Sequence, residues 1–246
     1  MEVKDAFDLI RDGVSKYDYA TCIVEGEQAR ELQDYESAHY YLQKAITLAG
    51  QQNNPAFLVE AYAHRFLIYK HQCQNAGDKA PLLLMHAESE IMLSLVEEFE
   101  LEGHPAAVAY LRAGDYRAFK GEYGTAAQLG KIALSFIDKE NFQQYVEFYA
   151  HYAHWFALAD RSALNLKELL NVLEMVQKVK SIQPVRQMIL ESGVLLRMAD
   201  VLIEFKSDDA TMYLQRARSI AQHLKDSFGY AQRLVQVENL EHKRRG

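Results

Sequence analysis

Residues 26–48 read GEQARELQDYESAHYYLQKAITL, and their spacing decides the fold. Gly26 is followed twelve positions later by Ala38, and then by Leu42 and Ala45 at steps of four and three. Steps of four and three place side chains on one face of a helix. Small residues on that face let a second helix approach closely. Between Gly26 and Ala38 lies Gln33-Asp34-Tyr35, a turn in which Asp34 is suited to cap the second helix.

The arrangement recurs along the chain, the signature of a repeat architecture. Residues 114–133 give Gly114, Gly121-Glu122-Tyr123, Ala126, Gly130 and Ala133. Residues 78–91 carry Ala80, Leu84 and Ala87, and residues 208–220 carry Ala210, Leu214 and Ala217. A fainter copy near 166–180 has Leu169, Leu173 and Val176. The first-helix markers are Gly26, Ile68, Gly114, Ala157 and Met198, with successive spacings of 42, 46, 43 and 41 residues. Pro55, Pro105 and Pro184 fall where first helices should begin, and proline suits the first helical turn. Asn165 with Glu168 reads as a capping box, and Ser207 as a further N-cap.

Composition agrees with helix throughout. The 246-residue chain has four prolines and twelve glycines, is 49% hydrophobic, and offers no convincing strand pattern. Val3, Phe7, Ile10 and Val14 form an apolar stripe read as an N-terminal capping helix over residues 1–16. Tyr230, Leu234 and Val237 do the same in a C-terminal helix and charged tail over 226–246, with the repeats at 17–225. One repeat domain, 1–246, results. The formal net charge of −7 argues against nucleic acid as a partner. Lys243-Arg244-Arg245 reads as a solvated tail. No stretch suits a membrane span or a signal peptide, so the expected location is the cytoplasm. Cys22 and Cys73 lie in helical patterns without metal spacing, and read as reduced, partly buried thiols.

This pattern resembles the tetratricopeptide-repeat (TPR) superfamily, carried by Gly26 with Gln33-Asp34-Tyr35, Ala38 and Ala45, and by Gly114 with Gly121-Glu122-Tyr123, Ala126 and Ala133. The spacing exceeds the family's roughly 34 residues, which makes the chain a divergent member. The resemblance implies an all-α, right-handed α-α superhelix of about five helix pairs with terminal capping helices. It also implies a concave groove lined by the first helices, which binds peptides or protein segments. Carried across, the groove positions are Tyr62, Arg65, Tyr69, Gln72 and Cys73 in the second repeat, and Val108, Leu111, Asp115, Ala118 and Phe119 in the third. The fourth gives His151, His154, Leu158 and Arg161, and the first gives Ile23, Glu27, Arg30 and Glu31. Each of these residues alternatively packs between neighbouring repeats. Ile23, Glu27, Arg65 and Tyr69 stand where some relatives clamp a chaperone's terminal carboxylate, and the lysine–asparagine pair of that clamp is missing.

Other chemistry finds little support. His151 with His154, and His64 with His71, lie on single helices without a third ligand at a diagnostic spacing, so no metal site and no cofactor are expected. There is no GxSxG elbow, and Lys120-Gly121-Glu122-Tyr123-Gly124 lacks a phosphate-loop ending. The chain is read as a non-enzyme: a scaffold or adaptor holding another protein or peptide. The alternative is a peptide-responsive sensor that acts by binding its target directly, because residues 1–16 are too few for a helix-turn-helix. Self-assembly into a homo-oligomer is a third reading, since Leu195, Ala199, Leu202 and Ile203 are nearly all apolar; cover by the C-terminal helix is the simpler explanation. In the aromatic helix at 142–158, Phe142, Tyr145, Tyr149, Tyr152 and Phe156 form one stripe, expected to be core. Phe148 and Trp155 lie on another side, as candidate surface contacts.

Overall fold

The computed structural model describes residues 18–76, 80–160, 163–178 and 183–245, and every element among them is a helix. In chain order these are α1 (Tyr19–Glu31), α2 (Tyr35–Gln51), α3 (Pro55–Ala76), α4 (Ala80–Glu98), α5 (Gly103–Phe119) and α6 (Tyr123–Ser135). They continue as α7 (Phe142–Asp160), α8 (Ala163–Lys178), α9 (Pro184–Glu204), α10 (Ala210–Phe228) and α11 (Gln232–Arg245). The stripe at Val3, Phe7, Ile10 and Val14 lies outside the described residues, as does Arg161.

Consecutive helices pack in pairs, from α1 on α2 to α9 on α10, as in a helical solenoid. The turns show why. Three of the turns inside a pair share one backbone form, in which a residue with positive φ ends the first helix: Gln33 at 62°, Gly121 at 78° and Lys206 at 55°. The next amide then reaches back five residues: Asp34 to the Ala29 carbonyl, Glu122 to Arg117 and Ser207 to Leu202. That closure satisfies carbonyls the helix end would leave bare. Asp34 then caps α2 by accepting from the Ser37 amide. Ser207 is not the cap of α10. That place belongs to Asp209, whose amide Ser207 Oγ accepts at 3.3 Å. Asn165 falls inside α8, which begins at Ala163, so it is not an N-cap either.

The odd-numbered helices also touch one another in order: α1 on α3, α3 on α5, α5 on α7, α7 on α9 and α9 on α11. The last of them returns to the second, because α11 packs on α3. The join is made of amides. Gln232 donates to Gln74 Oε1, Gln236 donates to the same oxygen at 3.0 Å, and Asn239 donates to the Gln74 carbonyl at 2.8 Å. The odd helices therefore form a layer that curves back on itself, and the even helices back it.

Small residues sit where helices cross. A Cβ on Gly26 would stand 2.7 Å from Leu42 Cγ. One on Gly114 would meet Trp155 Cζ3 at 2.6 Å, and one on Gly130 would meet the same atom at 3.1 Å. The two glycines thus make room for the indole. This reverses the expectation for the aromatic helix: Phe148 and Trp155 are buried core. Phe142 is exposed, and Tyr145, Tyr149, Tyr152 and Phe156 are half-buried and stack in sequence.

The second pair departs from its expected register. Ala80, Leu84 and Ala87 face solvent, while Pro81, Met85, Glu88, Ser89 and Met92 are buried. The alanines matched the spacing by composition, and the packed face lies one residue further on. At the C-terminus, Lys243-Arg244-Arg245 is not a free tail but the last turn of α11. Lys243 pairs with Asp200 at 2.7 Å and Glu204 at 2.6 Å, both on α9. Leu195, Ala199, Leu234 and Val237 share one core, so α11 covers the apolar face of α9. Cys22 and Cys73 are buried and form no disulfide with each other.

Candidate functional site

A line of polar contacts runs across the shared face of the odd helices. Lys70 of α3 donates to Asp115 Oδ1 of α5 at 2.7 Å. Arg112, one turn before Asp115 on the same helix, holds its other oxygen at 3.0 Å. His151 of α7 places Nδ1 3.3 Å from Asp115 Oδ1. Its Nε2 lies 2.6 Å from Arg197 Nη2 of α9. Because arginine only donates, Nε2 must accept, so the ring proton sits on Nδ1 and points at Asp115. Beside this, His154 of α7 lies 2.9 Å from Asp200 of α9, which Lys243 of α11 also holds. Gln74 of α3 and Gln236 of α11 join separately at 3.0 Å.

Electrostatics follow from enclosure. Burial would raise the Asp115 carboxyl, but Lys70, His151 and Arg112 outweigh it and hold it well below the carboxylate range. Burial works the same way on Asp200, where His154 and Lys243 win and bring it to about 2. The histidines move down because burial penalises their charged form. Burial and the field of Arg197 take His151 well below its ordinary value. Burial with Arg30 and Lys70 does the same to His71, and burial with Arg30 and Arg112 brings His64 to about 3. Burial and Arg233 pull Arg197 down to about 10. Among the described residues, His64 Nδ1, His71 Nδ1 and Arg112 Nε are buried without a hydrogen-bond partner.

The expected groove residues divide. Asp115, His151 and His154 lie together on this face. Leu111, Val108, Leu158 and Ile23 are buried between helices. Phe119 is exposed at the end of α5, and Ala118 is half-buried against the core. Arg30 is buried and pairs with Glu31 at 2.7 Å and Glu27 at 3.7 Å. The second repeat turns the other way. Arg65 bonds Glu88 of α4 and Gln43 of α2, and Tyr69 packs its ring on His39 of α2. Tyr62 is half-buried between two core clusters, Gln72 is half-buried, and Cys73 is buried beside Met85. The one-residue slip seen in α4 applies here also. Counting twelve back from Pro81 reaches Tyr69 in place of Ile68, which rotates the helix by about 100°. Lys70, the residue after Tyr69, then takes the place that Asp115 holds after Gly114.

Lys70, Arg112, Arg197, Asp200 and Arg233 were not among the expected site residues. A signal was present: Lys70 and Asp115 are 45 residues apart, and His151–Arg197 and His154–Asp200 are each 46 apart. These separations are close to one repeat. Hydrogen-bonding partners at that spacing lie on neighbouring first helices.

Among the described residues no cluster of three or more metal-ligating side chains is present, and no helix is long and apolar enough to cross a membrane. Compared with known protein families and with the curated proteins, the sequence matches no family model and no curated relative.

Proposed function

We propose that this chain is a TPR-like scaffold of the cytoplasm, a right-handed superhelix whose odd helices hold a peptide or protein segment against their shared face. The observation that carries the reading is the run of polar contacts from Lys70 through Asp115 and His151 to Arg197, with His154, Asp200 and Lys243 beside it. A face that served packing alone would be apolar, whereas this one gathers charged groups at the cost of desolvating them. Polar groups held by partners on rigid helices are suited to fix a ligand's orientation. The same geometry speaks for binding over catalysis. His151 has Nδ1 at Asp115 and Nε2 at Arg197, so neither nitrogen is available as a general base.

The depth at which its polar groups are set favours a short or extended occupant. Asp115 is only 3% exposed, and the Lys70 side chain 17%. The amide join between α3 and α11 limits entry further. This supports the sensor variant of the reading, in which a small peptide is the signal.

The test is selection of displayed random peptides against the full chain, followed by binding to two variants. Glu147, exposed on α7 one turn before His151, becomes Trp to fill the inner face. Met212, exposed on α10, becomes Trp as the outer control. Selected peptides are expected to lose binding to Glu147→Trp and keep it to Met212→Trp. The reverse result refutes the proposal.

A further inference from the structure

We propose that the seam between α3 and α11 is a gate, at which the ring of odd helices opens to admit an occupant to its inner face. The gate rests on the preceding reading only for what enters; the opening belongs to the chain alone.

From α3 onward each odd helix meets the next, and α11 meets α3. The joints are not alike. Phe66 of α3, Leu111 of α5 and Trp155 of α7 belong to one hydrophobic core. Val146 of α7, Leu195 of α9 and Leu234 of α11 belong to another. Among the described residues no hydrophobic core joins α3 to α11. Their joint is made of neutral amides. Besides the bonds that Gln232, Gln236 and Asn239 donate to Gln74, Gln232 accepts from Asn75 at 3.3 Å and from Gln33, just beyond α1, at 3.4 Å. Leu32 reaches the turn before α11 at Gly229, but it is 48% exposed and belongs to neither core. An amide bond given up here is replaced by one to water at small net cost. Parting either core would instead expose apolar surface, with a cost that grows with its area. The seam is therefore the joint that opens first.

Closure also leaves polar atoms unsatisfied at this joint. His71 of α3, one turn before Gln74 and Asn75, is buried with Nδ1 unpartnered. Arg30 of α1 is buried with Nε and Nη1 unpartnered, although Glu31 and Glu27 hold its Nη2. Arg30 and Arg233 act on His71 from α1 and α11, and they repel each other. Glu31 and Glu147 offset part of that repulsion at Arg233. Water let into an open seam would satisfy the three bare nitrogens, so opening recovers what closure costs.

The experiment is double electron–electron resonance on the full chain, with spin labels at Glu36→Cys on α2 and His242→Cys on α11. Both positions are exposed, and they lie on opposite sides of the seam. A control pair at Met212→Cys on α10 and His242→Cys lies on one side. In wild type the short distance should dominate for the seam pair. Gln74→Ala removes the acceptor of two amide bonds. It should raise the ratio of long to short distances by about fivefold to a hundredfold, the usual worth of two neutral hydrogen bonds. Asn239→Ala removes one exposed bond and threatens the fold less; it should raise the ratio by about twofold to tenfold. Selected peptides should raise it too, while the control pair keeps one distance throughout. An unchanged seam distance in both folded variants overturns the gate, as does equal lengthening of the control pair. Peptides that bind the inner face without lengthening the seam pair sink the gate and leave the scaffold reading. A seam that opens in the variants while no peptide binds sinks the scaffold reading and leaves the gate.

Discussion

Gly114→Ala adds one methyl group where a Cβ would meet the closest contact of any described glycine. Its Cβ would stand 2.6 Å from Trp155 Cζ3, 2.8 Å from Cη2 and 3.3 Å from the Ala126 carbonyl oxygen. The indole is 2% exposed, so it has little room to withdraw. Overpacking of this kind costs about 1–3 kcal/mol. Alanine returns up to about 1 kcal/mol of helix propensity. The net expectation is a loss of about 1–2 kcal/mol, which in a chain of this size lowers the melting temperature by roughly 2–8 °C. Gly124→Ala is the matched control, because its Cβ meets nothing within 4 Å; it should be neutral or stabilising by up to about 1 kcal/mol. Thermal unfolding followed by circular dichroism and by fluorescence of Trp155, the single tryptophan, measures both. Trp155→Phe removes the two ring atoms that clash, so Gly114→Ala should cost less in that background, a coupling that a double-mutant cycle reads directly. A Gly114→Ala protein as stable as wild type, or no coupling to Trp155, would refute the account of why glycine stands at this crossing.

Asp115→Asn should cost about 3–5 kcal/mol in urea unfolding, because it leaves Lys70 and Arg112 without their buried counter-charge. Arg65→Ala should lose roughly 3 kcal/mol by stranding buried Glu88, yet leave peptide binding unchanged, since Arg65 turns to α2 and α4. Lys206→Gly should gain about 1 kcal/mol, because a side chain at φ 55° is disfavoured. Acid should destabilise the fold well above the pH where carboxylates protonate. His71 and His151 stay neutral when folded, so below about pH 6.5 only the unfolded chain takes up their protons. Stability is then full above that pH and falls by about 1.4 kcal/mol per pH unit for each histidine as pH drops toward the folded values. Urea unfolding between pH 7 and 5 checks the slope; a flat profile contradicts buried neutral histidines.

The helix pairs were legible because crossing helices demand small residues, and Gly26, Gly114, Ala38, Ala126 and Ala210 supply them at fixed spacing. Turn chemistry was legible for the same reason at Asp34 and Gly121. The second pair misled. Pro81, Met85 and Ser89 pack there in place of alanines, so a pattern built on alanine found the wrong face by one residue. That slip hid the fact that Arg65 and Tyr69 turn to α2 and α4 and not to the face that carries Asp115. Trp155 was misread because its partners are absences of side chain, Gly114 and Gly130, on two other helices. The polar contacts were least legible, because most of these bonds join different helices. Only the recurrence of hydrogen-bonding partners about one repeat apart hints at them.

Hydrogen–deuterium exchange of the full chain, with and without the tightest displayed peptide, asks most directly whether the shared face of the odd helices is where an occupant sits. The account predicts slowed exchange in α5, α7 and α9 around Asp115, His151 and Arg197, with α2, α4 and α10 unaffected. Protection confined to the even helices would contradict it.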